Sequence, residues 1–120
     1  MKISNHDRQI LRDLAREKYD IGNLSEQKTT YELWRKLNRL EPTRPLVFIY
    51  QIPWNEFKKC EELKPHCAGR DTRALETGLR QELYQWNHFR CDMIVEPVVY
   101  SSLVGGPTGS YADYGIQEQL

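Results

Sequence analysis

Arg44-Pro45-Leu46-Val47-Phe48-Ile49-Tyr50-Gln51-Ile52-Pro53-Trp54-Asn55-Glu56-Phe57 is the stretch on which the fold turns. Five apolar or aromatic residues in a row, Leu46 to Tyr50, are fenced by Pro45 and Pro53, and polar groups appear only as the run ends. Such a run reads as a short strand buried on both faces. A parallel strand whose carboxyl end runs into Tyr-Gln-Ile-Pro-Trp-Asn-Glu delivers an aromatic, an amide and an acid to one rim, the usual ligand side of α/β proteins. Tyr50, Gln51, Trp54 and Asn55 are therefore candidate substrate-binding residues.

Outward from this stretch, the next apolar strand pattern is Asp92-Met93-Ile94-Val95-Glu96-Pro97-Val98-Val99-Tyr100, rich in β-branched residues. Pro97 predicts a bend or a break in its pairing. Between the two lies the strongest helical pattern of the chain. Leu75, Leu79, Leu83 and Trp86 fall at i, i+4, i+8 and i+11, with Asp71 as expected N-cap and an end near His88, and Arg73, Glu76, Arg80 and Glu82 are expected largely off that face. Asn55 is expected to start a short helix reaching Glu62, and Pro65 to Gly69 a loop. Strand, helix and strand at this spacing predict a right-handed β-α-β unit.

Before Arg44, Ser4 to about Asp20 is a charged segment with Ile10, Leu11, Leu14 and Ile21 at helical spacing. Ser4 with Asp7 resembles a capping box, and Gly22-Asn23 stops the helix. A second helix follows from Ser25 or Thr29 to Leu40, with Tyr31, Leu33, Trp34, Leu37 and Leu40 as its apolar stripe. The two together are expected to form a hairpin. The organisation predicted is a helical segment over 1–43, a β-α-β unit over 44–100, and a Gly-rich loop or tail over 101–120 that continues in a longer protein.

At 120 residues the chain is one domain's length, about half that of a complete eight-stranded α/β barrel. Lysine plus arginine and aspartate plus glutamate both number 17, so no overall field draws the chain to nucleic acid or to an anionic membrane. No apolar run approaches the ~20 residues of a membrane span, and the first residues lack a signal-peptide core; a cytoplasmic location is expected. Two strands leave unpaired edges, so a homo-oligomer is expected if the chain stands alone.

Three cysteines, Cys60, Cys67 and Cys91, suit reduced thiols. With His66 they are of the right type for zinc, but their spacing is not that of paired two-residue knuckles, and no metal site is assigned. Val104 to Ser110 is glycine-rich but lacks the Gly-Lys-Ser/Thr pair of a phosphate loop. Among carboxylates near strand ends, Glu56, Glu61, Glu62 and Glu96, the last stands inside an apolar run, where an unpaired charge is costly. Glu96 is therefore added to the candidate substrate-binding residues. No catalytic residue is assigned.

Leu46 to Trp54, after a helical N-terminal segment and before an amphipathic helix and the run Met93 to Pro97, resembles the start of uroporphyrinogen-decarboxylase-like proteins, a superfamily that includes cobalamin-dependent methyltransferases. The resemblance implies an α/β fold, here the opening part of an incomplete (β/α)8 barrel. In the decarboxylases the first strand runs into Arg-Gln-Ala-Gly-Arg-Tyr, whose arginines hold the porphyrinogen carboxylates. Gln51 matches that glutamine, but Tyr50 and Trp54 stand where the arginines should be, and an aromatic cannot replace a guanidinium fork. The resemblance therefore points to the methyltransferase-like branch, with Gln51 at the barrel mouth. It implies a small-molecule substrate, and a corrinoid protein, corrinoid and zinc for a full-length protein, with none of these cofactors held by this chain. The alternative from a different class is a free-standing protein-interaction or oligomerisation module without catalysis.

Overall fold

The computed structural model describes residues 2–100; the expected tail over 101–120, with its glycine-rich run, lies outside the described residues. Three α-helices carry the architecture: α1 (Asn5–Gly22), α2 (Ser25–Asn38) and α3 (Arg70–His88), with 3-10 turns at Trp54–Phe57 and Glu61–Leu63. Each helix is where its apolar spacing placed it. Ser4 caps α1, its hydroxyl accepting from the Asp7 N–H at 3.1 Å, and Asn23 closes it.

The end of α2 is a Schellman motif, in which the Glu41 N–H donates to Lys36 O and the Leu40 N–H to Leu37 O. Leu40 occupies the left-handed position, at φ 61°, that glycine usually takes. Pro42 follows, and the chain leaves the helix.

The core is α1 laid beside α3, the two running in the same direction. Asp7 meets Thr72 at their N-terminal ends, Leu14 packs with Leu79 and Leu83 midway, Lys18 pairs with Glu82 at 2.9 Å, and Ile21 reaches Trp86 near the far ends. Two parallel neighbouring helices need a long crossover, and residues 23–69 provide it. Ile21 joins the Leu14–Leu79–Leu83 cluster to a second one of Trp86, Met93 and Val95. Gly22 lets α1 cross the 96–97 segment closely, since a Cβ there would sit 2.6 Å from Pro97 N. α2 does not lie along α1 as a hairpin. It grips residues 90–95: Gln27 accepts from the Val95 N–H, Trp34 Nε1 donates to Asp92 O at 2.7 Å, and Arg90 reaches Glu26.

The β-α-β unit, and with it the opening of a (β/α)8 barrel, is not what this sequence builds: no strand or sheet forms among the described residues. The helix between the two apolar runs is real, but the runs do not pair along their lengths. One backbone bond joins them, from the Asp92 N–H to Val47 O at 2.9 Å. Several of their other groups are taken by side chains. The Asp92 carboxylate accepts from the Val47 N–H, the Gln85 amide donates to Ile49 O, and Gln27 takes the Val95 N–H. Buried backbone groups need partners, and two glutamines and an aspartate supply them where a ladder would have.

Within α3, Leu79, Leu83 and Trp86 are buried as expected, but Leu75 is 41% exposed. Glu76, expected on the polar face, is fully buried.

Candidate interaction surface

Residues 41–51 run without helix, turn or bend. Within them the Phe48 and Tyr50 rings stack 6.3 Å apart and 14° from parallel, as neighbours two residues apart on one face of an extended chain do. In extended backbone the N–H and C=O of one residue point to one edge, and those of the next to the other. At Val47 and Ile49 they point into the molecule, where Asp92 holds both groups of Val47 and Gln85 holds the Ile49 C=O. The groups of Leu46, Phe48 and Tyr50 point outward, and among the described residues none pairs with them.

The clasp on the inner side is electrostatic. Arg44 grips Asp92 with both terminal nitrogens, at 3.1 and 2.6 Å, so that Asp92 bonds both the arginine and the Val47 N–H. The Arg44 hydrogen bonds, with the Val47 N–H, lower the Asp92 carboxyl pKa below its ordinary range. The segment is thereby fixed at its start by a charged fork and at Ile49 by a neutral amide. The apolar side chains of both faces of the segment remain open: Val47 is 53% exposed on one, and Phe48 45% and Tyr50 76% on the other. Beside Phe48 lies a groove lined by Trp34, Asp92 and Ile94. Val98, Val99 and Tyr100 are a second exposed apolar run.

The five candidate substrate-binding residues do not share one rim. Tyr50 and Gln51 are exposed on the extended edge. Trp54 is half-buried in an aromatic cluster with Phe57 and Tyr84, the Trp54 and Phe57 centroids being 5.8 Å apart. Asn55 is exposed, and with Trp54 it borders a groove of about 340 Å³ shared with Lys58, Lys64 and Gln81. Glu96 is exposed at the bend beside Pro97 and accepts from the Tyr100 hydroxyl, so its charge is not buried in an apolar strand. The inverse γ-turn that ends the edge, with Trp54 N–H on Ile52 O at 2.8 Å and Pro53 at φ −76°, ψ 73°, separates Tyr50 from Trp54.

Two buried carboxylates away from this edge hold the loop that leads into α3. Asp7, 2% exposed, reaches across from α1 to accept from the Ala68 and Gly69 N–H groups at 2.9 Å and from the Thr72 hydroxyl at 2.8 Å. It thus caps α3 from outside, in place of the expected Asp71, and those donors lower its pKa from 3.8 to about 2. Glu76 accepts from the His66 and Cys67 N–H groups and from Arg80 Nε, all at 2.8 Å. Together the two carboxylates take up four successive N–H groups of the 66–69 loop.

A buried acid on an otherwise apolar or charged helix face leaves no distinctive spacing, so only the Asp7–Ser4 pattern hinted at any of this. Cys67 is buried beside Glu76, and burial pushes its thiol up to about 11, which makes it a packing residue rather than a nucleophile. All three cysteines are free, and the described residues bring together no group of three or more metal-ligating side chains. No described helix is long and apolar enough to cross a membrane.

The chain matches no protein-family model, no curated protein and no solved structure. The likeness to uroporphyrinogen-decarboxylase-like proteins therefore stays with the Leu46–Trp54 motif, and the barrel that it implied is replaced by the helical architecture above.

Proposed function

We propose that this chain is a protein-interaction module whose working surface is the extended edge Leu46 to Tyr50, onto which a partner adds a strand. The observation that carries this reading is the alternation of the backbone: the Val47 N–H and C=O and the Ile49 C=O are held from inside, while the donors and acceptors of Leu46, Phe48 and Tyr50 have no partner among the described residues and stand beside aromatic side chains. An edge with unpaired N–H and C=O groups is a template for another strand, with backbone bonds giving affinity and alternate side chains giving specificity. The clasp by Asp92 and Gln85 keeps the edge extended before a partner arrives, which lowers the ordering cost of binding. Methyl transfer has no support in this geometry, because it came with a barrel mouth and no strand forms among the described residues.

Selection of short, uncharged, β-branched and aromatic peptides on the immobilised chain tests the reading. Binders are expected that are lost on Phe48→Lys and on Tyr50→Lys, and lost when alternate peptide amides are N-methylated. A selection whose binders ignore both substitutions, or one that yields no binder, would contradict strand addition.

A further inference from the structure

The geometry points to a second copy of this chain as the strand that is added, antiparallel, about a two-fold axis through Phe48. This rests on the strand-addition reading and assigns its partner. An isologous interface needs a surface complementary to itself, and the outward groups of Leu46, Phe48 and Tyr50 meet that condition. With the axis at Phe48, Leu46 faces the copy's Tyr50, Phe48 faces Phe48, and Tyr50 faces the copy's Leu46. Each is a hydrogen-bonded pair exchanging two N–H···O=C bonds.

The prolines respect the same parity. Pro45 and Pro53 stand at odd positions, with Val47 and Ile49, so the donors they lack belong to the inner edge and the outer row is uninterrupted. Charge also permits the pairing. No residue between Arg44 and Glu56 is charged, and Arg44 is already engaged by Asp92, so two copies meet without like charges facing each other. Edges that avoid self-pairing usually carry a lysine, an inward charge or a proline at a donor position; this one carries none of them.

Side chains of directly opposed residues share a face. The exposed Phe48 and Tyr50 rings of each copy would thus come together over one face of the new ribbon, next to the Trp34–Ile94 groove.

Sedimentation equilibrium of the full chain tests this. The wild type is expected to show a concentration-dependent mass rising from 14.2 kDa to twice that value. Phe48→Lys and Phe48→Glu should each sediment as a single chain, and an equimolar mixture of the two should recover the double mass, because position 48 faces itself. A second pair guards against a variant that misfolds: Tyr50→Lys mixed with Leu46→Glu should dimerise, while each alone stays single. Circular dichroism should show native helix content for all four variants.

A wild type that remains a single chain at high micromolar concentration would overturn the inference. So would a dimer that survives both Phe48 variants, or variants whose mixture does not recover it. If the wild type is single yet the peptide binders are lost on Phe48→Lys, strand addition stands and only the second copy is refuted. If neither dimer nor Phe48-sensitive binder exists, both fall.

Discussion

Asp7 shows how one side chain can tie three segments together. It sits in the first turn of α1, and its carboxylate closes the N-terminus of α3 through Ala68, Gly69 and Thr72. Gly69 is held at this contact because a Cβ would stand 2.7 Å from the Thr72 hydroxyl and 3.3 Å from Asp7 Oδ2. The folded pKa of Asp7, about 2, lies below its ordinary 3.8. A group whose folded pKa is depressed contributes stability that is complete above the unfolded pKa and is lost as pH falls through the folded one. Acid titration followed by tryptophan fluorescence is therefore expected to show stability falling between about pH 4 and pH 2, with Asp7→Asn already destabilised at neutral pH and flatter over that window. A variant whose acid dependence matches the wild type would remove Asp7 from this role. Ser4 and Asp7 read in the sequence as a capping box for α1; its Ser4 half is present, while the Asp7 side chain, which the box would turn back to Ser4, serves another helix 61 to 65 residues away.

The helices were legible and the strands were not. Amphipathic spacing fixes a helix because its hydrogen bonds are internal to it, so α1, α2 and α3 lie close to where their stripes put them. A strand depends on a partner elsewhere in the chain. The same apolar run therefore fits a buried strand, an exposed edge or an irregular segment. Leu46 to Tyr50 proved to be an exposed extended segment. Residues 92–100 likewise lie against helices through Gln27 and Trp34 rather than in a ladder.

The stripe on α3 reads in the sequence as one continuous face, whereas its energetics divide. Leu83 is 5% exposed and packs on Leu14, and Leu75 lies at the open side of the α1–α3 groove. Leu83→Ala is expected to cost about 2–5 kcal/mol in chemical denaturation, the usual range for a buried leucine. Leu75→Ala is expected to cost well under half of that. Equal losses at both positions would contradict the parallel packing of α1 on α3.

As a whole, the molecule is a pair of parallel helices with a crossover whose extended parts are held by side chains. Zero net charge gives the chain no long-range preference for a polyanion. The candidate site was legible to the extent that Tyr50 and Gln51 do lie on the exposed edge of the opening stretch. Trp54 and Asn55 are turned away by the Pro53 turn, and Glu96 sits at a separate bend. Such turns arise from tertiary placement, which the residue pattern at the end of a strand does not contain.

Strand addition depends on the alternation along Leu46 to Tyr50, and amide hydrogen exchange resolved by residue measures it directly. In dilute solution the Val47 amide is expected to exchange slowly, because Asp92 holds it, while the Leu46, Phe48 and Tyr50 amides exchange fast. As concentration rises, those three should slow together and Val47 should change little. Uniformly fast exchange from Leu46 to Tyr50, or protection of Phe48 and Tyr50 that is the same at every concentration, would contradict the account.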